Sequence, residues 1–273
     1  MTAMSRSERD LGTRILDAER RRAVAWRTEF LAVWLVILAG LIVFVLFTIK
    51  LDAKFLTGVI PFIVGGAGMT ILVSFLSIVM AIVLAALGAL GRLSRNPIAN
   101  GVASFYVSLV RGTPLLLQIL FIYLALPQAG IVLPELACGV LALGFNYGAY
   151  MTEIFRAGIQ AVPGGQTEAA ESLGMDGRTT FLRIIAPQAF RIVTPAIGND
   201  FIAMLKDSSL VSTIGVQELL WKAQVAGRPT FQSMQTLIVA ALVYWAMTLV
   251  FSQFQSRLER RMASADRAAG AVR

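Results

Sequence analysis

The chain has 273 residues, 57% of them hydrophobic and only 15% charged, against roughly 25% charged in ordinary soluble domains. That excludes a soluble globular protein, and the net charge of +8 is what basic residues on the inner face of a membrane protein produce, so no nucleic-acid partner is required. Histidine is absent and the one cysteine, Cys138, lies in an apolar run, so an internal disulfide is excluded and no metal site is expected.

Residues 1–28 are polar and carry Arg6, Arg9, Arg14, Arg20, Arg21, Arg22 and Arg27, with Leu11, Ile15 and Leu16 at helical spacing among them. The segment is too charged for a cleaved signal peptide. It reads as an orienting cytoplasmic tail or a short amphipathic surface helix, with Trp26 at the interface belt. Long uncharged runs then mark spans, because about 20 apolar helical residues cross a bilayer core and lipid offers the backbone no other hydrogen-bond partner. Span one covers 29–49. Lys50 to Gly66, with Asp52, Lys54 and Pro61, is expected to be a short connection. Span two covers 67–90 and turns at Arg92, Arg95 and Pro97. Span three covers 103–126, interrupted by Arg111, and turns at Pro127, Gly130 and Pro134. Span four covers 135–157, and a charged segment, 158–188, follows it. Span five, 189–206, is the weakest because Asp200 lies inside it. A mixed segment 207–231 leads to span six, 232–253, and to a basic tail, 255–273, with Arg257, Arg260, Arg261, Arg267 and Arg273. The fold class is an all-α polytopic membrane protein of six spans. With both termini inside, the inner segments hold 18 basic residues and the outer ones five, so segment 158–188 is cytoplasmic by the positive-inside rule.

That segment reads as a rigid helical elbow. Gln166 to Leu173 is rich in helix formers, and Glu168 and Glu171 sit near its start, where the helix dipole favours acids. Gly174 fits a C-cap. Asp176 can cap a second helix beginning near Arg178, which carries Phe181, Leu182, Ile184 and Ile185 and is ended or kinked by Pro187. No G-x-x-x-x-G-K-[ST] occurs, so ATP is not bound here by a P-loop.

The spacing Glu168-Ala169-Ala170, Gly174, Ile184 and Pro187 resembles the signature loop of ABC importer permeases, departing at Ala186 where the family usually has Leu. Further matches are to the polar amino acid importers. They are Arg111-Gly112-Thr113-Pro114; Ala149-Tyr150 with Glu153 and Arg156; Val162-Pro163-Gly164-Gly165-Gln166; Gly198 to Ile202; Lys206 to Ser212; and Ile214-Gly215 with Glu218-Leu219. The match covers about 67–254, and family members often have only this five-span core. The resemblance implies a type I ABC importer permease fold with one extra N-terminal span. Gln166, Glu168, Ala169, Ala170, Leu173, Gly174 and Met175 would dock on a cytoplasmic ATPase dimer, which binds ATP and Mg; no cofactor is expected in this chain. A second permease subunit, identical or homologous, and an extracytoplasmic amino acid binding protein complete the implied partners, in the cell inner membrane.

Ionisable residues inside spans are functional candidates by default. Arg111 and Glu153 lie near the cytoplasmic ends of spans three and four and are expected to pair, as a structural lock or as a gate. Asp200 falls about 20 Å along a helix from Pro187, near mid-membrane, where transporters hold substrate. A carboxylate there suits an ammonium group, so Asn199 and Asp200 are expected to line the pathway, or else to bond neighbouring helices. Thr70, Ser74, Gln118, Asn146 and Tyr150 are weaker pathway candidates. Lys206, Asp207, Ser208 and Ser209 are expected to form an outer gate or a dimer contact. The leading function is the non-enzymatic transmembrane subunit of an amino acid importer. An importer of another small polar solute, an ATPase-independent secondary transporter and a membrane scaffold are the alternatives.

Overall fold

A computed structural model describes residues 6–48 and 51–270. Residues 1–5 of the tail, Ile49, Lys50 and residues 271–273, including Arg273, lie outside the described residues. The chain divides into two units, Met1–Ala53 and Lys54–Arg273.

The first unit is a single helix, α1 (Arg6–Thr48). It contains no proline, so nothing interrupts the backbone ladder between the Arg-rich segment and the first span, and the two form one rod. Its stretch Val24–Phe44 is long and apolar enough to cross a membrane.

The second unit contains α2 (Ala53–Val64) and α3 (Ala67–Leu93). Here the expected connection is largely helical. Asp52 and Lys54 stand only at its start, and Phe55 to Val64 is apolar around Pro61, so α2 and α3 read together as one 41-residue apolar stretch. Then come α4 (Pro97–Arg111), α5 (Leu115–Gln128) and α6 (Glu135–Gln160). The elbow supplies α7 (Gly164–Ser172) and α8 (Gly177–Thr180), and a π-helical turn, Phe181–Ile185, leads into α9 (Ala186–Asp207). A 3₁₀ turn, Ser208–Ile214, precedes α10 (Leu219–Gly227) and α11 (Ser233–Gly270). The sixth span and the basic segment after it are one continuous helix.

Among the described residues, three stretches can cross a membrane by length and composition: part of α1, α2–α3 and Ser233–Met262 of α11. The bent pair α4–α5 makes a fourth. The 26-residue α6 and the 22-residue α9 are long enough but too polar to pass on composition. Part of that polarity is turned inward: Asn146 and Thr152 of α6 are buried, and Asp200 and Asp207 of α9 are half-buried.

The core is α3 packed along α6, with α4, α5 and α9 around them. Small residues permit that approach: Ala81, Ala85 and Ala89 of α3 and Ala142 and Ala149 of α6 are fully buried. A Cβ added at Gly88 would lie 2.3 Å from Thr152 Oγ1, and one at Gly148 would lie 2.7 Å from the Tyr106 hydroxyl. In lipid, where the hydrophobic effect does not drive helices together, such close backbone packing holds a bundle.

Of the two outcomes expected at Pro187, an end or a kink, the helix is not ended: the chain runs from the π turn into α9. The backbone shifts register at the π turn, where Ala186 N–H bonds to Phe181 C=O. This places Pro187 in the first turn of α9, where its missing N–H is tolerated. The elbow is therefore continuous with α9.

Glu218 ties α3, α10 and α11 at a buried junction. It is fully buried and caps α10 by accepting from Trp221 N–H at 2.8 Å. It also accepts from the hydroxyls of Tyr244 and Thr70, the latter at 3.4 Å. Thr70 accepts in turn from Leu219 N–H at 3.2 Å. Glu218→Ala removes the cap and leaves the Tyr244 hydroxyl without its acceptor, while Thr70 keeps Gly66 C=O at 3.3 Å, so it is expected to cost roughly 2–4 kcal/mol. A clear fall in thermal midpoint in mild detergent checks this, with Glu218→Gln retaining most of the stability.

Candidate functional site

The site begins where α4 stops. Gly112 ends the helix, and Pro114, in an extended conformation, starts α5, so the two axes bend by 106°. Such a break leaves carbonyls without helical partners. The Gln118 amide meets them, donating to Val110 C=O at 2.8 Å and Thr113 C=O at 3.1 Å. Gln118 thus repairs the break and accepts from Asn146 at 3.2 Å. Irregular backbone within a membrane is tolerated where it is buried in protein or lines a cavity.

Here it lines a cavity of about 780 Å³, a size suited to a small molecule. Arg111 to Leu115 form one wall. Asn146, Tyr147, Tyr150, Glu153 and Ile154 of α6 form a second, and Asp200, Ala203 and Asp207 of α9 a third. On each helix the contributors recur at helical spacing, so one stripe of each faces inward.

The charges are unevenly satisfied. Glu153 Oε2 accepts two hydrogen bonds from Arg156, at 2.7 and 3.0 Å. Its Oε1 lies 3.3 Å from Arg92 Nε, an ionic contact without hydrogen-bond geometry. Asp207 accepts from the Tyr147 hydroxyl at 2.8 Å. Asp200 differs, because its Oδ2 is buried with no hydrogen-bond partner. Arg111 makes no salt bridge among the described residues and lies over the Tyr150 ring, 5.1 Å from its centre.

The expected Arg111–Glu153 pair is therefore not formed. Arg156 stands one turn along the same helix, Arg92 reaches in from the end of α3, and together they occupy Glu153. Asn199 is exposed and does not line the cavity; its side-chain oxygen accepts from Gln255 of α11 at 2.9 Å. Thr70 belongs to the Glu218 junction. Ser74 is buried, donates to Thr70 C=O at 2.8 Å and approaches Met204 C=O at 3.5 Å. Both hydroxyls bind helices and lie away from the cavity. Gln118 stands behind the wall that Asn146 and Tyr150 line. Of Lys206, Asp207, Ser208 and Ser209, only Asp207 reaches the cavity; Lys206 is exposed, Ser209 half-buried, and Ser208 buried, bonding back to Leu205 C=O. Sequence reading missed Tyr147 and Arg92. Tyr147 was recoverable, since it and Ile154 are two helical turns apart on the stripe shared with Tyr150.

The elbow is the second surface. Gly174 takes a left-handed conformation (φ +76°). Its N–H bonds to Glu171 C=O at 2.9 Å, and Met175 N–H bonds to Ala170 C=O at 3.0 Å. This pair is the Schellman motif, which closes a helix and favours glycine at that residue. Ala170 is buried, while Glu168, Ala169 and Glu171 are exposed and Gln166 and Met175 half-buried. Leu173 is 83% exposed. Asp176 stands at the start of α8 in an extended conformation. The Thr179 hydroxyl, with the N–H groups of Thr179 and Arg178, holds its carboxyl below the usual range, although none of these contacts has full capping geometry.

Residues 77–264 match the family described as binding-protein-dependent transport system inner membrane component. The chain belongs to that family. It is a multi-pass, non-catalytic permease subunit of an ABC importer that works with a binding protein. The permease is 41% identical over 203 residues to the L-cystine transport system permease protein TcyB of Bacillus subtilis, covering 74% of this chain and 87% of that one. To the arginine transport system permease protein ArtQ of the same organism it is 36% identical, covering 76% and 95%. A crystal structure of an amino acid ABC transporter with histidines superposes with a TM-score of 0.72 at 40% identity, covering 78% of this permease and 100% of that chain. The MetNI methionine transporter, at 13% identity and a TM-score of 0.60, shares the fold.

Proposed function

We propose that this permease passes a polar amino acid through the 780 Å³ cavity and is driven through its elbow by a cytoplasmic ATPase dimer that binds ATP and Mg. The observation that carries this reading is that one cavity is lined by both Asp200 and Arg111, and neither forms a salt bridge among the described residues. An amino acid zwitterion presents one ammonium and one carboxylate, and these two groups complement it. The relatives named for cystine and arginine transport support the same class. The chain crosses the membrane six times, by α1, α2–α3, α4–α5, α6, α9 and α11, with both termini inside, as the excess of inner basic residues supports. A second permease subunit completes the pathway.

Coupling runs along α6. Arg156 binds Glu153 on the cavity wall and also donates to Gln160 at 2.7 Å. Gln160 is the last residue of α6, and α7 begins at Gly164. The elbow then presents Glu168, Ala169, Leu173 and Gly174 to the ATPase, with Gln166 and Met175 at the edge and Ala170 holding α7 down on the permease.

Arg111→Gln tests the reading. It keeps hydrogen-bonding capacity and removes the charge that faces the substrate carboxylate. Uptake into vesicles bearing the complete importer, with its binding protein, is expected to fall at least tenfold, since a charged hydrogen bond is worth about 1.5–3 kcal/mol. Unchanged uptake, with normal assembly, would remove Arg111 from the pathway.

A further inference from the structure

The extra helix α1 carries a feature that the permease family does not explain, since the family match begins at residue 77. Between Arg20 and Thr28 the sequence is Arg-Arg-Arg-Ala-Val-Ala-Trp-Arg-Thr. It holds four arginines and no acid, with Glu19 and Glu29 just outside. It also adjoins the apolar stretch that begins at Val24.

The geometry points to a ring of anionic-phospholipid contacts around α1. At about 100° per residue, Arg20, Arg21, Arg22 and Arg27 fall near 0°, 100°, 200° and 340° around the axis. The four positions are therefore spread around the helix axis. A helix docking on a protein, or lying flat on a bilayer, concentrates its charge on one face. A helix that crosses the headgroup layer meets phosphates on every side. All four residues are arginine and none is lysine; the planar guanidinium fork matches phosphate oxygens in pairs. Arg22 and Arg27 are exposed. Trp26 sits between them, 63% exposed, at the depth where amphipathic rings anchor a span. It stacks on Phe30 at 5.2 Å, and Phe30 meets Trp34 at 6.1 Å, so an aromatic line runs from the charged ring into the apolar stretch. Clustered basic residues just inside a span attract the anionic cytoplasmic leaflet. The inference rests on the inward orientation of the N-terminus proposed above.

The test uses the complete importer, permease with ATPase, extracted in mild detergent and analysed by native mass spectrometry with phosphatidylglycerol against phosphatidylcholine as probes. The wild-type complex is expected to retain phosphatidylglycerol selectively. The variant R20Q/R21Q/R22Q/R27Q is expected to lose that retention at least tenfold, the control R6Q/R9Q/R14Q to keep it, and the charge-preserving R20K/R21K/R22K/R27K to fall between the two, since lysine keeps the charge and loses the paired contact. Equal retention in the glutamine variant overturns the proposal. Loss of the ATPase with lipid retention unchanged overturns it in favour of a protein contact. Protease access to an N-terminal tag in intact cells reads the orientation separately: cleavage from outside refutes the placement in the inner leaflet, whatever the lipid result.

Discussion

Asp200→Asn is expected to reduce substrate uptake by roughly ten- to a hundredfold while leaving assembly with the ATPase intact. The substitution is nearly isosteric, so packing against α6 is kept. What changes is charge. Asp200 lines the cavity and makes no salt bridge among the described residues, so its charge awaits a counter-ion. An ammonium group would satisfy it; a neutral amide facing the same ammonium would not. Asp207 cannot replace it fully, because it is already bonded to Tyr147. Glu153 is neutralised by Arg156 and Arg92. ATP-dependent uptake of a labelled amino acid, measured beside the amount of ATPase co-purified, checks the prediction. A normal rate in Asp200→Asn would sink the role of Asp200.

Leu173→Asp is expected to separate the permease from its ATPase and to lower uptake by a hundredfold or more. A leucine 83% exposed at the tip of an elbow gains nothing where it stands; covered by a partner, it becomes an anchor. Buried apolar anchors of this kind commonly contribute 2 kcal/mol or more to an interface, and a carboxylate in the same place adds a desolvation cost. The side chain makes no buried contact within the permease, so folding should be unaffected. Co-purification of the ATPase in mild detergent reads the loss directly, and a variant that still binds the ATPase fully would show that the elbow docks through other residues.

Much of this was legible in the sequence, for physical reasons that differ between parts. The elbow was readable because its determinants are local: the helix formers from Gln166, the glycine at Gly174 and the acid at Asp176 each act within a few residues. That Asp200 borders a cavity could be anticipated because a carboxylate in an apolar run is costly away from polar surroundings. Pairings were not. Glu153 could meet any cation brought near it, and only the fold puts Arg92 and Arg156 closer than Arg111. Asn199 follows its neighbour Asp200 in sequence, but a helix turns adjacent residues about 100° apart, so one faces the cavity and the other Gln255. Thr70 and Ser74 looked like pathway residues because hydroxyls in spans are conspicuous, yet such hydroxyls usually bond to nearby backbone. At Pro187 the sequence left an end or a kink open, because the π turn before it changes the register of hydrogen bonding and nothing in the local composition announces it.

The most direct test is a density map of the complete importer with amino acid substrate bound and the ATPases held before hydrolysis. The expected result is an amino acid in the cavity between α4–α5, α6 and α9, its carboxylate at Arg111 and its ammonium at Asp200, with α7 seated on the ATPase through Leu173. An amino acid bound away from both side chains, or an elbow that leaves Leu173 in water, would contradict it.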